Sequence, residues 1–109
     1  MNVIKALWLV SCIVLSACVT TVKIGKEFDP ARFDAAVQPG VTTQADVRSL
    51  LGEPVATGVV VNEDRERFTR WVYYFGTGTA PGLRDARFSV LEIRFDKHDV
   101  VQAYNWSSG

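Results

Sequence analysis

The sequence has no excess charge of either sign. Twelve Lys and Arg residues stand against 12 Asp and Glu, a formal net charge of zero. A chain this balanced has no basic face for nucleic-acid phosphates and no acidic solvating tail. Histidine occurs once and cysteine twice, too few for an ordinary structural zinc site. No apolar run is long enough to cross a membrane comfortably. The best, residues 6–15 (ALWLVSCIVL), would make a helix of about 15 Å against a hydrocarbon core of about 30 Å. The length of 109 residues allows one small domain. A DNA-binding module, a polytopic membrane protein and a disordered chain are thereby excluded.

The apolar residues are unevenly spread. Thirteen of the first 17 residues are apolar. A short start carrying Lys5, the apolar run and then Ser16-Ala17 form the three regions of a secretory signal. Leu15-Ser16-Ala17-Cys18 resembles the bacterial lipobox. That resemblance implies a diacylglyceryl group on the Cys18 sulfur and cleavage between Ala17 and Cys18. A thiolate suits the first step because it is a good nucleophile. Cys12 lies within the leader, so Cys18 would be the only thiol of the mature chain, without a disulfide partner. Residue 19 is Val rather than Asp, which leans toward the outer membrane. The expected division is a lipoprotein signal over 1–17, a lipidated Cys and tether over 18–28, and a folded domain over 29–109. A fully extended tether over 19–28 would reach about 33 Å, although alternating Val22 and Ile24 would also suit a short edge strand.

Asp29-Pro30 reads as a helix N-cap followed by Pro at the first helical position. Phe33, Ala36 and Val37 make one apolar stripe, and Pro39-Gly40 ends it. Thr43 with Asp46 forms a capping-box pair ahead of a second stripe, Val47, Leu50 and Leu51. Gly52 and Pro54 stop that helix. Two such short helices need a shared surface to be stable. The second half supplies it as strands over 55–61, 67–75, 87–95 and 100–106. Residues 76–85 (GTGTAPGLRD) read as a long loop, and 62–64 and 96–99 as turns. Helices followed by a strand meander predict an α+β fold, with two short helices on one face of a three- to four-stranded antiparallel sheet.

Gly40-Val41-Thr42-Thr43, Asp46-Val47, Leu50-Leu51-Gly52-Glu53-Pro54, the Trp71-x-Tyr73-x-Phe75 strand, Leu91-x-Ile93-x-Phe95-Asp96 and Val100-Val101 together resemble the SmpA/OmlA family of small outer-membrane lipoproteins, which carry a BamE-like domain. The resemblance implies two helices on a three-stranded antiparallel sheet, as in β-lactamase-inhibitor-protein-like domains. It also implies an accessory role in β-barrel assembly and contact with partner lipoproteins. The tether and the charged segment 62–67 depart from the family's best-known pattern.

No constellation for catalysis emerges. His98 with Asp96 and Asp99 fits a solvated turn better than a metal site. Glu63, Asp64 and Glu66, interleaved with Arg65 and Arg67, fit a charged turn. Gly76-Thr77-Gly78 lacks the following helix of a nucleotide loop. Neither an enzyme nor a cofactor is expected.

Strand alternation points to a different kind of site. If Trp71, Tyr73, Leu91 and Ile93 face the helices, then Val72, Tyr74, Phe88 and Val90 lie on the open face. Arg70, Glu92 and Arg94 rim them, the composition of a protein-binding patch. Otherwise the tether or the long loop covers these residues, or they lie scattered. The expected function is that of a non-enzymatic scaffold, lipid-anchored in the outer membrane and facing the periplasm. It would hold an outer-membrane or periplasmic protein partner and no nucleic acid. The alternative is a periplasmic inhibitor or ligand-binding module on the same fold.

Overall fold

A computed structural model describes residues 18–109. Residues 1–17, over which a signal is expected, with Ala17 of the expected cleavage site, lie outside the described residues. The elements are β1 (Thr20–Gly25), α1 (Pro30–Ala36), α2 (Gln44–Leu51), β2 (Ala56–Val61), β3 (Arg67–Ala80), β4 (Arg87–Phe95) and β5 (Val101–Ser108). All strand pairs are antiparallel. The long β3 is the spine. β4 lies along one side of it, with β5 beyond. The other side is shared end to end by β1, opposite residues 75–80, and β2, opposite residues 67–72.

Both helices begin with the expected caps. The Asp29 carboxylate accepts from the backbone N–H of Ala31 at 3.0 Å and of Arg32 at 3.3 Å, and Pro30 takes the position where a missing N–H costs nothing. Thr43 and Asp46 exchange side-chain-to-backbone hydrogen bonds of 3.0 and 3.2 Å. Gly52 ends α2 at φ 81°, where a side chain would be strained. The linker between the helices is bonded to the sheet as well. Gly40 N–H donates to Val101 O and Val101 N–H to Thr42 O, both at 2.8 Å.

The core lies between the helices and one sheet face. Phe33, Val47, Leu91, Ile93, Phe95 and Val101 are fully buried, with Leu51, Trp71 and Tyr73 completing the cluster. Burial of each such large side chain is worth about 1.5–3 kcal/mol. Phe95 stands edge-on to Trp71 with ring centres 4.9 Å apart, and Phe33 does the same to Tyr104 at 5.2 Å. The Arg48 guanidinium lies 4.8 Å over the Trp71 ring, closing the cluster at the end of α2. No described helix is long and apolar enough to cross a membrane.

Tyr73 ties the sheet to the end of α2, its hydroxyl donating to the Gly52 carbonyl at 2.8 Å. Burial, and secondarily the Glu53 carboxylate, push its pKa from 10.0 up to about 12. The folded state therefore holds this proton more tightly than the unfolded chain does. The resulting stability is complete below pH 10 and is lost as the pH rises from 10 to about 12. Alkaline denaturation followed together with phenolate absorbance should show one tyrosine ionising as the fold is lost. A tyrosine set titrating wholly near 10 with the fold intact would contradict the buried bond.

Three expectations change. The sheet has five strands rather than three to four. The segment read chiefly as a tether forms β1, as its Val22 and Ile24 alternation allowed. Finally, β3 runs on through Gly76-Thr77-Gly78-Thr79-Ala80, leaving only residues 81–86 as a loop. Glycine disfavours strands in isolation. Here Gly76 is paired on both sides, to Ile24 and to Phe88, so tertiary pairing overrides propensity.

Candidate functional site

Register decides which apolar residues of the open face meet. Tyr74 lies directly opposite Val90, and Phe88 opposite Gly76. Across the other side of β3, Val22 is opposite Gly78 and Ile24 opposite Gly76. All of these share the face away from the helices. Because Gly76 and Gly78 carry no side chains, the floor between the two walls is sunken. Tyr74 folds over one end of it, and a Cβ on Gly76 would stand 3.0 Å from the Tyr74 hydroxyl. Leu83 and Ala86 close the other end, and a Cβ on Gly78 would meet Leu83 Cδ2 at 3.1 Å. The result is an apolar groove of about 160 Å³.

The loop that closes the groove is held by hydrogen bonds. Thr79 donates to the Asp85 carboxylate from its backbone N–H at 2.8 Å and from its hydroxyl at 2.6 Å. These bonds, the hydroxyl's first, hold the Asp85 carboxyl below its ordinary range. Leu83 N–H donates to Thr79 O at 3.1 Å, folding the loop back over Gly78. Phe88 is fixed at the sheet end by paired backbone bonds with Gly109 of 2.9 and 3.0 Å.

Toward β2 the same face becomes charged. Arg70 and Glu92 approach to 3.7 Å with both side chains substantially exposed, a geometry that adds little stability. Arg94 covers the buried Phe68 ring at 5.3 Å. Of the four expected patch residues, the structure brings Tyr74, Phe88 and Val90 together. Val72 stands one step away, opposite Glu92 and Ala56, where the charged part begins. Only Phe88 is broadly exposed, at 45 %; the other three are half-buried. Val22, Ile24, Gly76, Gly78, Leu83 and Ala86 were missed. The signal for the first four was present, since the alternations 22, 24 and 74, 76, 78 match the face of Tyr74.

The charged turns carry local structure. Asp96 accepts from His98 N–H at 2.8 Å and from Val100 N–H at 3.2 Å, and Asn62 Oδ1 accepts from Glu66 N–H at 2.9 Å. Among the described residues no group of three His, Cys, Asp or Glu is placed to hold a metal ion. Cys18 is exposed and free, two residues before β1.

The motif over residues 40–54 and the two aromatic strands now have a physical meaning as a folding signature. Gly40 bonds to β5, Thr43 and Asp46 cap α2, Leu51 enters the core, Gly52 turns the chain, and Trp71, Tyr73, Leu91, Ile93 and Phe95 build the buried face. The model of the outer membrane protein assembly factor BamE domain matches residues 34–105. The chain belongs to the BamE domain family. No curated protein and no solved structure matches it. The BamE match runs from within α1 to within β5 and leaves β1 outside. One wall of the groove, Val22 and Ile24, therefore comes from residues outside the matched domain.

Truncating the groove should separate folding from binding. Tyr74→Ala and Phe88→Ala remove side chains from outside the helix-packed core, so each should cost about 1 kcal/mol of stability or less. If a partner seats in the groove, each should weaken its capture by ~1–2 kcal/mol, because aromatic anchors dominate interfaces. Thermal melting and partner capture on the same variants check this. Strong destabilisation by Phe88→Ala would show that this face belongs to the core, and unchanged capture would leave the groove as ordinary surface.

Proposed function

We propose that the chain is a non-enzymatic lipoprotein of the outer membrane, anchored through Cys18 with its domain in the periplasm. It serves as an accessory scaffold in the assembly of outer-membrane β-barrel proteins. The observation that carries this reading is the BamE domain over residues 34–105, preceded by Leu15-Ser16-Ala17-Cys18. The groove over Gly76 and Gly78 is its partner contact. The formation of β1 also changes how the domain would stand. Only Val19 separates Cys18 from the sheet, and one residue spans at most about 3.6 Å. The domain is then held against the leaflet, not tens of ångströms away from it.

The test compares the full chain with Cys18→Ser in a bacterium with two membranes, using labelled palmitate and capture from detergent-solubilised outer membrane. The wild-type chain should take up label, fractionate with the outer membrane and recover barrel-assembly components. Cys18→Ser should lose label and membrane attachment, because loss of its acyl chains leaves no anchor. Label retained by Cys18→Ser would refute the anchor. Recovery of a single soluble enzyme in place of assembly components would refute the scaffold role and support an inhibitor.

A further inference from the structure

One end of the sheet gathers four strand ends. Thr20 of β1 pairs with Ala80 of β3, residues 81–86 join β3 to β4, and Phe88 bonds to Gly109 just past β5. The described chain begins at this same end, with Cys18 two residues before β1. The helices do not cover it. The core draws on Trp71 and Tyr73 of β3 and on residues from Leu91 to Val101, and no residue over 76–89 belongs to it.

The surface of this end is apolar and positive. Val19 is 71 % exposed, and Leu83 is 47 % exposed although it lies over Gly78. Leu83 has φ 49°, a left-handed backbone that suits Gly, Asn or Asp better than leucine. Local preference therefore does not place an apolar side chain there. Residues 18–25, 76–89 and 107–109 carry three cations, Lys23, Arg84 and Arg87, against one acid, Asp85. The Asp85 carboxylate is already engaged by the two Thr79 donors. Residues 26–75 and 90–106 carry eight cations against 11 acids. The balanced total thus hides a polarity, with the positive end beside Cys18.

Attachment decides what covers this end. Whether Cys18 carries acyl chains or the apolar segment before it is retained, the membrane-seeking group joins the chain within two residues of β1. A leaflet offers an apolar interior to Val19 and Leu83 and phosphates to the cations. A protein partner would have to come between the loop and the leaflet to which the chain is tied.

We propose that Val19 and the 81–86 loop form a second membrane contact. Leu83 enters the headgroup layer, Arg84 and Arg87 lie at the phosphates, and the sheet stands on the leaflet by this end. The proposal rests on membrane attachment ahead of β1 and adds the orientation of the domain. Gly78 and Gly76 lie two and four residues along β3 from Ala80, ~7 and ~13 Å along an extended strand. The groove then opens beside the membrane surface, within reach of a partner segment that lies there. The far end, where Val61 pairs with Arg67, stands ~43 Å from Ala80.

An environment-sensitive fluorescent amino acid at position 83 tests this, with position 61 as the control. The full chain is purified from bacterial membranes and reconstituted into vesicles of phosphatidylcholine and phosphatidylserine, with and without a nitroxide quencher near the headgroups. The probe at position 83 should be blue-shifted and lose most of its emission to the quencher, and the probe at position 61 should lose none. Arg84→Glu combined with Arg87→Glu should at least about halve the quenching at position 83, because like charges repel the loop from the leaflet. Both residues are exposed, so the melting temperature should not move. Equal quenching at both positions, or none at position 83 while the protein floats with the vesicles, would overturn the proposal and leave the anchor standing. A blue shift without quenching would mean that a second copy covers the loop, which overturns it as well. A chain that does not float with the vesicles would refute the attachment itself.

Discussion

Phe95→Ala should cost about 3–5 kcal/mol, as expected for removing a large ring from a packed interior. Phe95 is fully buried and stands edge-on to Trp71, on the last turn of the buried face before the β4–β5 connection. The void would open beside Val101 and under Trp71, between strands that cannot close on it without breaking the β3–β4 ladder at Thr69. A domain of this size is stable by about 5–15 kcal/mol, and the only cysteine among the described residues, Cys18, is unpaired. The variant should therefore melt far below the wild type or not fold at 37 °C. Denaturant unfolding of the soluble chain, with Cys18 replaced by Ser in both proteins, measures the difference. A loss under about 1 kcal/mol would mean the site collapses around the missing ring, which packing of this density rarely permits.

Gly25→Ala should detach β1. Gly25 has φ +79°, and a Cβ there would stand 2.1 Å from the Tyr74 carbonyl oxygen. The positive φ alone costs about 1–2 kcal/mol for a residue with a side chain. The overlap is with backbone, so no rotamer change relieves it. Either the β1–β3 pairing opens at Gly25–Phe75 or β3 bends. β1 supplies Val22 and Ile24 but nothing to the core, so its release caps the cost of the substitution. Amides of residues 20–25 should exchange freely while those of β4 stay protected. Capture of a partner seated in the groove should fall as well, since one wall leaves with β1. Protection of β1 equal to wild type would contradict the clash.

Much of the fold could be read from local pattern. Asp29-Pro30 and Thr43 with Asp46 announce the two helix starts, and each cap forms as the spacing implies. Alternation of Trp71 and Tyr73, and of Leu91, Ile93 and Phe95, identifies the buried face, because period two fixes sidedness in a strand. These signals are short-range, so a sequence carries them directly. Residues 76–80 were harder, because glycine and threonine give a loop-like composition. They are strand only because β1 and β4 flank them.

The sequence by itself determined the two capped helices, the alternating strands and the neutral charge balance. Each rests on neighbours within a few residues or on composition. The tertiary structure alone decided that β1 and β2 share one edge of β3, that Tyr74 meets Val90 and Phe88 meets Gly76, and that a groove forms over two glycines. The reason is register. Which residues face each other across a sheet depends on the pairing of strands far apart in the chain, and a groove floored by missing side chains leaves no apolar pattern to read.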